Sequence, residues 1–263
     1  MRAIFSRLLN APIFARWAQP YAEWRLAQTK SSVPAPDADG LPFPSSYLMA
    51  RVAGIVDWRD FERSGKEQVS LIQKMIAAQG GDIATSERIL DFGCGCGRLA
   101  RHIPAISQAT LYGCDYNRQL VSWCASNLPG IFQRNQLKPP LRYDDAFFDV
   151  IYLYSVFTHL REDTQKAWLL ELHRVLKPGG YLVISFHDED HYALEIIGVS
   201  ADYIVTNQFH VHNNHAEGSN YLSTYQSRAH FTAQAAEHFD VLDVKSSSES
   251  ERGVGQAIAI MRR

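Results

Sequence analysis

The chain has 263 residues, 46% of them apolar, enough to bury one large core or one core with a smaller appendage, so one main domain is expected. With 26 basic and 28 acidic residues the formal charge is −2, and no dense Lys/Arg run builds the footprint that duplex nucleic acid demands, which argues against a nucleic-acid partner. The four cysteines, Cys94, Cys96, Cys114 and Cys124, fall in one short window rather than in a framework spread over a small secreted chain, which points to a reducing, cytoplasmic compartment.

The first thirty residues carry Arg2, Arg7, Arg16, Arg25 and Lys30 with one acid, Glu23, among Ile4, Phe5, Leu8, Leu9, Ile13 and Phe14. Nothing there is long enough to span a bilayer. The segment is expected to pack on the domain as an extension; peripheral membrane contact through residues 1–30 and a transit peptide are the alternatives. Residues 31–46 hold four prolines and read as a linker, so the main domain is placed at 47–263. Helices are predicted over Tyr47–Gly54 and Phe61–Gln79, the second stopped by Gly80-Gly81. In a doubly wound fold they would lie over the carboxyl ends of the strands as a lid.

Arg88-Ile-Leu-Asp-Phe-Gly-Cys-Gly-Cys-Gly-Arg98 reads as strand, tight turn, helix. The alternating glycines admit positive φ and let a bound molecule approach the backbone beside free N–H groups of the next helix, which Pro104 keeps short. Asp91 sets a negative charge under the turn, which suits a cationic or amine-bearing ligand and not a phosphate. A zinc reading of Cys94 and Cys96 fails on geometry, since a glycine turn, a strand and a helix supply a poor tetrahedron. The next strand, Thr110–Asp115, ends in an acid 22 positions after Gly93, the offset at which a βαβ unit brings a carboxylate to a ribose diol. Asn117 caps a helix with Leu120, Val121, Cys124 and Leu128 on its apolar face.

Ile131–Asn135 is a third strand; Asn135 at its end either reads a purine edge or serves an ordinary turn. Phe147–Ser155 is a nearly continuous apolar fourth strand, as a parallel strand covered on both faces requires, and it delivers Ser155 and His159 to the ligand edge. A helix over Glu162–Leu176 ends at Pro178-Gly179-Gly180, and Tyr181–Phe186 is a fifth strand. Residues 187–223 are polar, hold five of the ten histidines, and are long for a connection, which marks a lid or binding loop. His210, His212 and His215 match no zinc spacing and are expected to serve lid and pocket rather than a metal. A helix over 228–238 and a hairpin of Val241–Val244 with Gln256–Met261 complete seven strands.

Taken jointly and in order, Leu90–Gly97, Asp115, Phe148–Ile151 and Arg174–Gly180 resemble the class I S-adenosylmethionine-dependent methyltransferases. Ser155–Leu160 resembles a bacterial subgroup of small, mostly uncharacterised members. The resemblance implies an α/β, Rossmann-like seven-stranded sheet of order 3-2-1-4-5-7-6, the last strand antiparallel, with helices on both faces and here an N-terminal helical extension. It implies S-adenosylmethionine as cofactor, with Asp91, Gly93, Gly95 and Gly97, and Cys94 between them, at its amino-acid part. Asp115 would take the ribose hydroxyls, Tyr116 would lie beside the adenine, Asn135 near the adenine amine, and Ser155 near the methionine carboxyl or the sulfonium. Methyl transfer to oxygen or nitrogen of a small-molecule or glycan-like acceptor follows. His159 is the candidate base, against the plainer reading of a histidine that caps or orients the following helix. A nicotinamide-dependent oxidoreductase and a catalytically silent cofactor-binding module are the competing functions.

Overall fold

The structure, a computed structural model, describes residue 36 and residues 40–213, 217–249 and 255–263. The basic segment 1–30, most of the proline-rich linker and His215 lie outside the described residues, and the expectations made for them stay as they stand. Contacts divide the chain into two compact units, Met1–Ser64 and Gly65–Arg263.

In the first unit, α1 (Ser46–Ala53) starts where Ser45 accepts the Leu48 N–H and stops at Gly54, whose φ of 66° supplies the left-handed stop. The Ser46 hydroxyl donates to Val56 O at 2.9 Å, and Phe43 packs on Trp58 with ring centroids 5.2 Å apart. The predicted linker thus ends one residue early, because Ser45 and Ser46 together begin the helix. Helix α2 (Trp58–Ala78) then carries the chain into the second unit.

The second unit is built on β1 (Arg88–Phe92), β2 (Thr110–Asp115), β3 (Ile131–Arg134), β4 (Phe148–Leu153), β5 (Leu176–Phe186), β8 (Asp240–Lys245) and β9 (Ala257–Arg262). Together they form one seven-stranded sheet in the order β3-β2-β1-β4-β5-β9-β8. The pairs among β1 to β5 are parallel, while β9 runs antiparallel to both β5 and β8. Counted within this sheet the order is the expected one. Helices α3 (Arg118–Asn127) and α4 (Glu162–Val175) supply crossovers between parallel strands, which need about a dozen residues or more. The main core gathers Leu90, Phe92, Ile151, Leu153, Trp168 and Ile184, all at most 3% exposed, so β1, β4 and β5 are apolar nearly throughout.

Two expectations are corrected. No α-helix follows Gly97: the chain makes a turn and then a 3₁₀ segment over Ala100–Ala105 that contains Pro104. Residues 187–223 are not a plain loop. They hold α5 (Ala193–Ile197), α6 (Ala201–Asn207) and β6 (Phe209–His212), and β6 pairs antiparallel with β7 (Ser223–Gln226) in a separate hairpin. Elements of five, seven and four residues are too short to show an apolar period. Ser227 then caps α7 (Arg228–Ala236) by accepting the His230 N–H.

At the amino edge of the sheet, Asp149 accepts from Glu87 N and Arg88 N at 3.0 and 2.8 Å and pairs with Lys177 Nζ at 2.6 Å. Burial works against this carboxylate, yet Lys177 and the two amides hold it below its ordinary pKa. Two of the quoted sequence motifs, around residues 149 and 177, thus serve the fold at the edge opposite the site.

Candidate active site

The carboxyl edge of the sheet brings the turn after β1, the end of β2, the segment after β4 and the end of β5 together, since β1 lies between β2 and β4, and β5 lies next to β4. Glycines 93, 95 and 97 all have positive φ, 76°, 54° and 78°. A Cβ on Gly93 would stand 2.3 Å from Val156 Cγ2, and one on Gly97 would stand 2.2 Å from Leu128 Cδ1. The turn's own packing therefore demands glycine at 93 and 97.

The free N–H groups expected of a following helix are not there, since no α-helix follows, and four of the turn's own amides are engaged. Gly93 N and Cys94 N donate to Cys114 O at 2.8 and 2.9 Å, Gly97 N donates to Cys94 O at 2.9 Å, and Gly95 N donates to Asp115 Oδ2 at 3.0 Å. With those donors engaged and no α-helix N-terminus behind them, the turn offers a phosphate little. Below it, Asp91 is 4% exposed and its Oδ2 is buried without a hydrogen-bond partner. Burial drives the Asp91 carboxyl up to about 7, against the pull of the Tyr152 hydroxyl and the Arg98 guanidinium. Tyr152 lies near enough to exert that pull but does not meet Oδ2 with hydrogen-bond geometry. A buried carboxylate oxygen in need of a donor is the feature an ammonium group satisfies.

Asp115, 8% exposed, accepts from Gly95 N and, through Oδ1, from Asn117 N at 2.7 Å, so it ties the glycine turn to the start of α3. Asn117 caps α3 as expected, accepting from Gln119 N and Leu120 N. Asn135 donates from Nδ2 to Gln136 O at 2.9 Å, and its Oδ1 is buried without a partner. The Tyr116 ring lies under Gly218 of the 187–223 insertion, where a Cβ would stand 3.3 Å from it and 2.8 Å from Leu137 Cδ1. Gly218 N in turn donates to His159 O at 2.8 Å, so the tip of the insertion joins Tyr116 to the segment after β4.

Ser155 holds a φ of 58°, uncommon outside glycine, and a ring of hydrogen bonds over-determines it. Its N–H donates to Ser185 Oγ at 2.8 Å, Ser185 Oγ donates to Gln256 Oε1 at 2.7 Å, and Gln256 Nε2 donates to Ser155 Oγ at 2.8 Å. Sequence reasoning missed Ser185 and Gln256. The signal was present for Ser185, a lone hydroxyl deep in an apolar strand, which burial allows only with a partner.

His159 lies in a 3₁₀ turn, Phe157–His159, and does not cap α4: the N-cap position there is Arg161, with no side-chain cap. Instead Nδ1 meets Leu222 O at 2.7 Å, and burial lowers its pKa against that bond. A carbonyl only accepts, so Nδ1 carries the proton and Nε2 keeps its lone pair. Gln165 fixes this segment, donating to Phe157 O and Leu160 O at 2.8 and 3.0 Å and accepting from Gln226. The four cysteines are free thiols packed behind the turn, with Cys124 Sγ 3.4 Å from Gly95 O. Among the described residues no group of three His, Cys, Asp or Glu side chains is arranged to hold a metal ion.

Residues 90–184 match the family described as methyltransferase domain. The chain is 30% identical over 111 residues to a tRNA (carboxymethyluridine(34)-5-O)-methyltransferase of Arabidopsis thaliana, a match covering 42% of this chain and 26% of that protein. It is 26% identical over 153 residues to the O-methyltransferase rstn1 of Aspergillus nomiae, covering 54% and 66%. The chain thus spans about a quarter to two thirds of the length of these curated relatives. Both are eukaryotic, so they lend nothing to the bacterial subgroup, and the one named for tRNA leaves the exclusion of nucleic acid without support. In fold, the chain is similar to the crystal structure of magnesium protoporphyrin IX methyltransferase from Synechocystis with SAH bound, at 14% identity and a TM-score of 0.56 over the whole of both chains. Residues 90–184 thus match a methyltransferase domain, and the sheet that holds them has the fold of the class I, S-adenosylmethionine-dependent methyltransferases.

Proposed function

We propose that this chain binds S-adenosylmethionine along the carboxyl edge of the sheet and transfers its methyl group to a hydroxyl of a small-molecule or glycan-like acceptor. The observation that carries the reading is the pairing of a glycine turn whose Gly93, Cys94, Gly95 and Gly97 amides are already bonded with a buried, partnerless Asp91 oxygen beneath it. That arrangement suits an ammonium and not a pyrophosphate, which favours S-adenosylmethionine over a nicotinamide dinucleotide. Asp91 holds the amino group, Asp115 takes the ribose hydroxyls with lone pairs its backbone bonds leave over, and Tyr116 and Asn135 flank the adenine. Ser155, held by Ser185 and Gln256, faces the methionine end.

The cofactor supplies a methyl group on a positively charged sulfur, so the chain's work is alignment and exclusion of water, which together are worth about 7–11 kcal/mol. His159 Nε2 takes the proton of the acceptor hydroxyl, and its lowered pKa keeps it in the neutral, accepting form near neutral pH. The O-methyltransferase named among the relatives supports oxygen as the acceptor atom. The Ser155–Leu160 stretch supports membership of the bacterial subgroup, and the free thiols support a cytoplasmic site of action.

Isothermal titration tests the reading directly. S-adenosylmethionine is expected to bind and NAD to give no heat; the reverse pattern would sink the proposal. Transfer of tritium from labelled cofactor into a cell extract separates an active enzyme from a silent cofactor-binding module, for which no labelled product would form.

A further inference from the structure

Strand β7 is clasped along the edge it does not share with β6. Gln226 N donates to His187 O at 3.0 Å, and Thr224 O meets His187 Nδ1 at 3.2 Å. Two residues before Thr224, Leu222 O meets His159 Nδ1 at 2.7 Å. Carbonyls two residues apart on extended chain point the same way, about 7 Å from each other. Two imidazoles therefore hang side by side, His159 from the segment after β4 and His187 from the residue after β5.

Each ring gives its Nδ1 proton to a carbonyl and keeps a bare Nε2 lone pair. Neither Nε2 has a hydrogen-bond partner among the described residues. Burial lowers the pKa of both rings. In His187 the neighbouring His191, 4.0 Å away between centroids, and His159 depress it further. Clasping β7 needs only one donor per carbonyl, which an amide side chain would give equally well, so the second nitrogen is left for another task. The place suits a substrate: Val156, three residues before His159, packs on Gly93, and Ser185, two before His187, anchors Ser155.

We propose that His159 and His187 form a paired acceptor site for a methyl acceptor that presents two neighbouring hydroxyl groups. Two neutral lone pairs receive two O–H donors, and they offer nothing to a carboxylate or phosphate, which has no hydrogen to give. This rests on the methyltransferase reading for its chemistry. One hydroxyl oxygen bonds the methyl carbon while the carbon–sulfur bond breaks, its electron pair staying on sulfur, and the hydroxyl proton passes to His159 Nε2. His187 anchors the second hydroxyl and so selects the substrate.

The test uses the full chain with ¹⁵N-labelled histidine, titrated with catechol, with methyl α-mannoside, and with benzoate and benzylamine as controls. Long-range nitrogen–proton spectra are expected to show Nδ1–H tautomers at His159 and His187, and Nε2 shifts at both rings with one of the two diols and not with the controls. Catechol alone points to an aromatic acceptor, mannoside alone to a glycan. His187→Asn, whose amide nitrogen falls near the Nδ1 position and keeps the clasp, is expected to weaken diol binding at least tenfold and leave S-adenosylmethionine affinity unchanged. The proposal is overturned if neither diol moves either Nε2, if benzylamine moves them more, or if His187→Asn binds the diol as before. Should that variant fail to fold, the wild-type spectra decide alone. Diol binding without S-adenosylmethionine binding would remove the methyltransferase reading and leave the paired site; the converse would remove the paired site only.

Discussion

Replacing Asp91 by Asn tests the centre of the cofactor site through stability as well as binding. In the folded chain the Asp91 carboxyl is raised from 3.8 to about 7, chiefly by burial. A raised acid contributes stability that is fully present below pH 3.8 and is lost as pH climbs through about 7. Roughly three pH units at about 1.4 kcal/mol each amount to ~4 kcal/mol, which the wild type forgoes at pH 8 to keep a desolvated charge. Asn has the same shape and no charge. Urea unfolding of Asp91→Asn is therefore expected to match the wild type below pH 3.8 and to exceed it by up to ~4 kcal/mol at pH 8. Calorimetry should find S-adenosylmethionine binding lost in the variant, and in the wild type strengthening from pH 6 to 8 as the carboxyl ionises. Equal stability of the two proteins at pH 8, or equal affinity for S-adenosylmethionine, would refute both the buried charge and its ammonium partner.

Asp115→Asn removes a charged acceptor shared by Gly95 N–H and the expected ribose hydroxyls, and should weaken S-adenosylmethionine binding about 10- to 100-fold by calorimetry, the worth of a charged hydrogen bond. Gly93→Ala sets a Cβ 2.3 Å from Val156 Cγ2 at a φ of 76°, and thermal melting should show a loss of about 2–5 kcal/mol. His159→Asn keeps a donor for Leu222 O, so cofactor affinity should hold while turnover falls about 100-fold or more. In the wild type the rate should rise with pH through a value below 6.5 and then level off, as its lowered pKa requires; a rate independent of pH from 5 to 8 would argue for a histidine that only clasps β7. Gln165→Leu takes the side-chain donor from Leu160 O and the acceptor from Gln226 Nε2, while Phe157 O keeps the Thr224 hydroxyl, and is expected to cost about 2–4 kcal/mol in chemical unfolding.

The sheet was legible because parallel strands covered on both faces read as unbroken apolar runs, and because glycine and proline punctuate them at Gly97 and Pro129-Gly130; Pro178-Gly179-Gly180, expected to stop the helix, instead lies inside β5, which begins at Leu176. The cofactor edge was legible in its residue types, an acid under a glycine turn and an acid at the end of β2. Its hydrogen bonding was not. Nothing in the spacing of Gly93 to Gly97 says that Cys114 O and Asp115 absorb the turn's amides, since those partners come from another strand. The same holds for His159, where local sequence suggested a helix cap and the partner proved to be Leu222, 63 positions on. The insertion hid its elements because each is too short to show a period, and because its apolar residues divide between buried Leu194 and Ile204 and exposed Tyr192 and Ile196.

The insertion is bolted at its roots. Arg228 grips Asp188 and Asp190 at 2.6 Å each and Glu189 at 3.1 Å, Ser247 N–H reaches Asp188 at 3.2 Å, and β7 is pinned to Phe157 O through the Thr224 hydroxyl at 2.9 Å. Fixed at both ends, the stretch that carries α5, α6 and β6 is expected to tolerate substitution at its exposed Tyr192, Ile196, Tyr203 and Val205, and to resist it at His191 and Gly218, which touch His187 and His159 O.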